Sequence, residues 1–118
     1  MADAALMVGW GQTVRGREKR ALDVFNDALT YYGERQAEGT IESFDTVLLE
    51  PHGGELGGFF LVRGTAEGIA RMTASEEFQR LNIRANLIVD DLGVVPGWCG
   101  DALMQQMGWF AEAIDEVG

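Results

Sequence analysis

Apolar residues are spread unevenly along the chain, and their spacing marks out the elements. From Ile41 to Gly64 two apolar runs flank a polar, glycine-containing turn, the pattern of a β-hairpin. Val47, Leu48 and Leu49 are consecutive, as are Phe59, Phe60, Leu61 and Val62, so these strands read as covered on both faces. With the turn at His52-Gly53-Gly54, one face carries Phe44, Thr46, Leu48, Phe59 and Leu61. The other then carries Val47, Leu49, Leu56, Phe60 and Val62, and Glu42 lies near Arg63. Before the hairpin, Ala5 to Gly11 reads as a first strand. Leu22, Phe25, Leu29 and Tyr32, spaced 3, 4 and 3 apart, predict an amphipathic helix from about Arg17 to Glu38, stopped by Gly39.

After the hairpin the period turns helical in two pieces. Thr65 caps the first, and Thr73-Ala-Ser-Glu76 has the spacing of a capping box for the second. Leu87 to Val95 reads as the fourth strand, ended by Pro96-Gly97. Asp101 caps a last helix with Leu103, Met107, Phe110 and Ile114 on one stripe. The order strand, helix, strand, strand, helix, strand, plus one helix, predicts an α+β fold. It is the ferredoxin-like βαββαβ arrangement, with a four-stranded antiparallel sheet and its helices on one face. The hairpin needs cover on the other face too, which predicts a homodimer packed sheet to sheet, with the C-terminal helix as the rival cover.

At 118 residues the chain is expected to form one domain, residues 1–118. A net charge of −10 with nine basic residues argues against binding nucleic-acid backbones. No apolar run approaches membrane-spanning length, and the N-terminus lacks the layout of a signal peptide. A lone Cys99 forms no internal disulfide, which fits a reducing cytoplasm.

Chemistry is sparse. His52, the single histidine, is a candidate base or haem ligand, but its turn gives it an alternative role bonding the loop backbone. One His and one Cys far apart cannot seed a metal cluster, and adjacent Asp90 and Asp91 would face opposite ways on a strand. No metal and no cofactor are expected. Gly9, Gly11 and Gly16 lack the spacing of a dinucleotide loop. Cys99 has no evident catalytic partner. Trp10, Phe60 and Trp98, with His52, remain as candidates to line an apolar ligand pocket, and His52 and Arg63 as the weaker catalytic candidates.

The strand-then-helix opening, the turn Leu49–Gly54 (LEPHGG), the strand Phe59–Gly64 (FFLVRG) and the segment Ser75–Leu81 (SEEFQRL) together resemble the dimeric α/β-barrel group of ferredoxin-like proteins. They are most similar to its small bacterial members of unassigned function. That resemblance implies a dimer whose two sheets close a barrel, and leaves the activity open, because the group includes oxygenases, haem enzymes, isomerases and stress proteins. Two readings follow. One is a homodimer binding a small apolar molecule without cofactor chemistry. The other is a cofactor-independent monooxygenase or isomerase acting on an aromatic or polyketide-like substrate, with His52 or Arg63 polarising an oxygen.

Overall fold

A computed structural model describes residues 2–118. The strands are β1 (Ala4–Trp10), β2 (Ser43–Leu48), β3 (Gly58–Gly64) and β4 (Gly93–Trp98). The helices are α1 (Glu18–Ala37), α2 (Ala66–Ala74), α3 (Glu76–Asn86) and α4 (Gly100–Val117). Their order is the one the hydrophobic periods predict. The sheet runs β2-β3-β1-β4 and is antiparallel throughout.

Strand parity divides the sheet. Leu6 and Val8 of β1 and Phe60 and Val62 of β3 are buried against Val24, Ala28, Tyr31 and Tyr32 of α1, Ile69 and Met72 of α2, and Phe78 and Leu81 of α3. Burying a side chain as fully as Val62 contributes about 1.5–3 kcal/mol. The opposite face carries no helix of these three. Its central row reads Val95, Met7, Leu61, Asp45, and the next reads Gly93, Gly9, Phe59, Val47. β2 and β4 are the edges of an open sheet.

The hairpin register differs from the one expected. Phe44 pairs with Val62 and Thr46 with Phe60 on the helix side, whereas Val47 pairs with Phe59 on the open side. The faces of β2 are grouped as expected, but each meets the other face of β3. The nine-residue connection from Leu49 to Gly57 is the cause. Leu49 N–H bonds Gly57 O and Gly57 N–H bonds Trp10 O, so the loop folds back onto β1 before β3 starts. Arg63 Nη1 bonds Asp45 Oδ2 at 2.7 Å, while Glu42 N–H bonds the Arg63 carbonyl.

Four other expectations are corrected. Leu22, in the expected stripe of α1, is 64% exposed, and the buried positions are Val24, Ala28, Tyr31 and Tyr32. α3 is capped by Ser75 rather than Thr73: Ser75 Oγ accepts from Phe78 N–H at 3.2 Å, and Thr73 Oγ1 donates to Ala70 O. The fourth strand begins at Gly93, not Leu87. Before it, Asp91 adopts φ 57°, and a separate ladder joins residues 11–14 to 88–90, with Gly11 N–H donating to Asp90 O, Asp90 N–H to Gln12 O and Val14 N–H to Ile88 O. Pro96 and Gly97 lie inside this strand, which an edge position allows. Finally, α4 starts at Gly100 with Cys99, not Asp101, at its N-cap, and the φ of +58° at Gly100 lets the chain turn against Ala2 O. α4 packs against β4 and does not cross the open sheet face.

Candidate functional site

The interior between α1, α3 and the sheet is not filled. A cavity of about 420 Å³ lies there, within the range of small-molecule sites. Aromatic rings from the sheet (Trp10, Phe60) and from α1 (Phe25) cluster at one side of it. Trp10 ends β1, and its indole lies 5.3 Å from Phe60 and 6.1 Å from Phe25, with Phe25 and Phe60 stacked at 5.7 Å. Glycine makes room for that indole. A Cβ on Gly58 would stand 2.8 Å from Trp10 Cζ2 and 2.7 Å from Val47 O. From the helices come small side chains, Ala21, Val24 and Ala28 of α1 and Ala85 of α3. Exposed lining residues, Thr13, Glu18, Leu22 and Leu48, mark the mouth.

Two ion pairs tie the roof together: Arg84 Nη2 to Asp27 Oδ2 at 2.6 Å and Arg35 Nη1 to Glu77 Oε2 at 2.7 Å, each joining α1 to α3. Polar groups in the cavity are few. Tyr32 is 1% exposed, and among the described residues its hydroxyl makes no hydrogen bond. Burial, and then the neighbouring Tyr31, pushes its pKa above the ordinary tyrosine value, so the phenol stays protonated. Asn82 spends its Nδ2 on Phe78 O, leaving its amide oxygen as an acceptor. Glu18 accepts from Gly16 N–H.

The residues singled out from sequence separate. Trp10 and Phe60 meet in the cavity. Trp98 does not; with Trp109 it borders a second groove, of about 590 Å³, between β4, α2 and α4. His52 stands in the β2–β3 turn with both ring nitrogens engaged: Nε2 bonds Leu56 O at 2.7 Å, and Nδ1 accepts from Gly54 N–H at 3.1 Å. Those partners fix the tautomer with the proton on Nε2. Arg63 lies on the open sheet face, paired to Asp45. Neither lines the cavity. Phe25, Tyr32 and Ala28 are among the lining residues that were not ligand-binding candidates from the sequence. Among the described residues no three of His, Cys, Asp and Glu gather as a metal site would require.

A four-stranded antiparallel sheet in the order β2-β3-β1-β4, with its crossover helices on one face, decides the architecture. The chain is ferredoxin-like in fold. Among solved structures it is similar to a dimeric protein of unknown function and ferredoxin-like fold from Bacteroides fragilis, at a TM-score of 0.59 and 9% identity, covering 81% of this chain and 96% of that one. No protein-family model matches the sequence, and no curated protein matches it. No helix among the described residues is long and apolar enough to cross a membrane.

Proposed function

We propose that this protein is a homodimer that binds a small apolar molecule in the cavity beneath α1 and α3. The carrying observation is the cavity itself. Protein interiors pack at crystal density, and a cleft of this size under two helices departs from it. A sequence that sets Ala21 and Ala28 beside Phe25 on α1, facing Trp10 and Phe60 of the sheet, keeps space that larger aliphatic side chains would have filled. An aromatic ring system entering at Leu22 and Leu48 would stack on that trio. Its hydroxyl or carbonyl, if it has one, would meet the unpartnered Tyr32 hydroxyl.

The dimer rests on the open face, where Val95, Met7, Leu61, Phe59 and Val47 form a continuous apolar surface. Two such faces stacked together would make the two-sheet α/β barrel, and the structural neighbour is described as dimeric. The lone Cys99 suits a reducing cytoplasm. Binding needs no ionised group in the cavity. The oxygenase or isomerase reading gave its chemistry to His52 and Arg63, which stand elsewhere, and among the described residues the one charged side chain in the lining is Glu18 at the mouth.

The test is a fluorescence titration with 1-naphthol in a Trp98→Phe, Trp109→Phe background, where Trp10 is the sole indole. Saturable quenching at one naphthol per chain is expected. Ala28→Leu and Ala85→Leu, which fill the cavity, should each weaken it at least tenfold while leaving the melting temperature level or higher. Absence of saturation, or quenching indifferent to both fillers, refutes the site.

A further inference from the structure

α4 is an 18-residue helix with no buried residue. Its apolar side chains Leu103, Met107, Phe110, Ile114 and Val117 are all exposed, Phe110 by 62% and Val117 by 88%. They recur at spacings of 4, 3, 4 and 3, the seam of a coiled coil. The side of α4 that borders its own chain is a different one, formed by Ala102, Gln105, Gln106 and Trp109 over the groove beside β4. The helix stands off the body. The radius of gyration is 16.4 Å, against about 13.5 Å for a compact chain of this length.

The geometry points to a second copy of this chain as the occupant of the seam, its α4 packed antiparallel about a two-fold axis through Phe110. A lipid surface is a poor fit. α4 has Asp101, Glu112, Asp115 and Glu116 and no lysine or arginine, so an anionic bilayer repels it. At 100° per residue those carboxylates fall on the face opposite the seam, while the flanking positions Met104, Gln106, Ala111 and Ala113 are uncharged. Nothing ionic stands in the way of closing the seam.

The spacing is self-complementary under the two-fold. Phe110 meets Phe110 of the second copy, Met107 meets Ile114, and Leu103 meets Val117, so every seam residue gains an apolar partner. A parallel pair would also match apolar layers, but it would crowd Glu112, Asp115 and Glu116 of both chains at one end. The antiparallel pair separates them and sets each cluster near the positive end of the other helix dipole. The area is adequate. The seam residues and Met104 leave on the order of 700 Å² in water, near the ~800 Å² per partner of a standard interface. This interface is separate from the open sheet face. With both in use and their two-fold axes intersecting at right angles, the two interfaces close a tetramer.

Sedimentation equilibrium on the full chain tests both at once. A mass of four 12.9 kDa chains is expected, halved by Phe110→Glu on the seam, halved by Val95→Glu on the sheet face, and quartered by the pair. A dimer that Phe110→Glu dissociates and Val95→Glu leaves intact upholds the seam and sinks the sheet-face dimer. A mass unchanged by Phe110→Glu overturns the seam pairing. So does a double variant no smaller than either single one, which would mean that α4 lies on the sheet face. Orientation is read by a short bismaleimide in a Cys99→Ser background. Phe110→Cys should cross-link to its twin and Leu103→Cys should not; no link at 110, or an equal one at 103, overturns the antiparallel arrangement.

Discussion

Phe59 and Phe60 are chain neighbours on opposite faces of β3, and truncating each to alanine should fail in different ways. Phe60 is 4% exposed and stands 5.0 Å from Tyr32, 5.3 Å from Trp10 and 5.7 Å from Phe25. Phenylalanine-to-alanine changes in cores cost about 3–5 kcal/mol. Each ring pair adds about 0.5–1.5 kcal/mol beyond its area. Against this, one side of Phe60 already borders the cavity and loses no packing there, which sets the expectation near the lower end, about 3 kcal/mol. For a chain of this length that is a fall in melting temperature of roughly 10–15 °C. Phe59 faces the open side beside Val47, so its truncation should act through association. Urea unfolding followed by circular dichroism, over about a hundredfold range of protein concentration, separates the two. Phe60→Ala should lose the same stability at every concentration, whereas the midpoint of Phe59→Ala should climb with concentration more steeply than that of wild type. A loss below about 1 kcal/mol for Phe60→Ala, or identical concentration dependence for Phe59→Ala and wild type, refutes the division of faces.

Two smaller expectations follow from single groups. Ser75→Ala removes the cap that accepts from Phe78 N–H and should cost about 1 kcal/mol, against less than about 0.5 for Thr73→Ala; equal losses in urea titrations would return the cap to Thr73. Tyr32 has its pKa raised on folding, so the stability held by the buried neutral phenol is complete below the ordinary value of 10.0 and is lost as pH rises beyond it. Tyr32→Phe should therefore lose less stability than wild type between neutral pH and strongly alkaline solution, and parallel declines would refute the buried phenol.

The order of elements was legible because it rests on period: runs of consecutive apolar residues for β2 and β3, and 3-4 spacing for α1 and the helices that follow. What misled were local signals that tertiary pairing overrode. Leu87–Val95 has a strand's composition, yet β1 offers its free edge only to residues from Gly93 onward, since Gly9 pairs with Gly93 and Ala4 with Trp98. Pro96 looks like a terminator until its strand is seen to be an edge, where an unmade backbone bond costs little. Thr73 and Ser75 both precede acidic residues, and only the extended backbone at Ser75, φ −70° and ψ 149°, selects the cap.

For the cavity, the sequence marked aromatic residues without their partners. Trp10 and Trp98 each close a strand and both point to the helix side, so an aromatic count ranks them alike. Antiparallel pairing separates them. Trp98 lies opposite Ala4, at the far end of β1 from Trp10, and six residues of strand span about 20 Å. That separation was already implicit in the ferredoxin-like order, because β1 and β4 run in opposite directions. Part of the cavity wall was harder to read, because it is made of small residues. Ala21, Ala28 and Ala85 carry little weight in a hydrophobic stripe, although Leu22, Phe25 and Tyr32 of the stripe line the cavity with them. A helix facing an aromatic sheet with Leu at those positions would fill the space; facing it with Ala leaves a volume bounded by Trp10, Phe25 and Phe60. The same substitution that would finish this core as a core, Ala28→Leu, is the one expected to end its capacity to bind. A level melting temperature together with lost quenching is the pair of outcomes that the proposed site requires of Ala28→Leu.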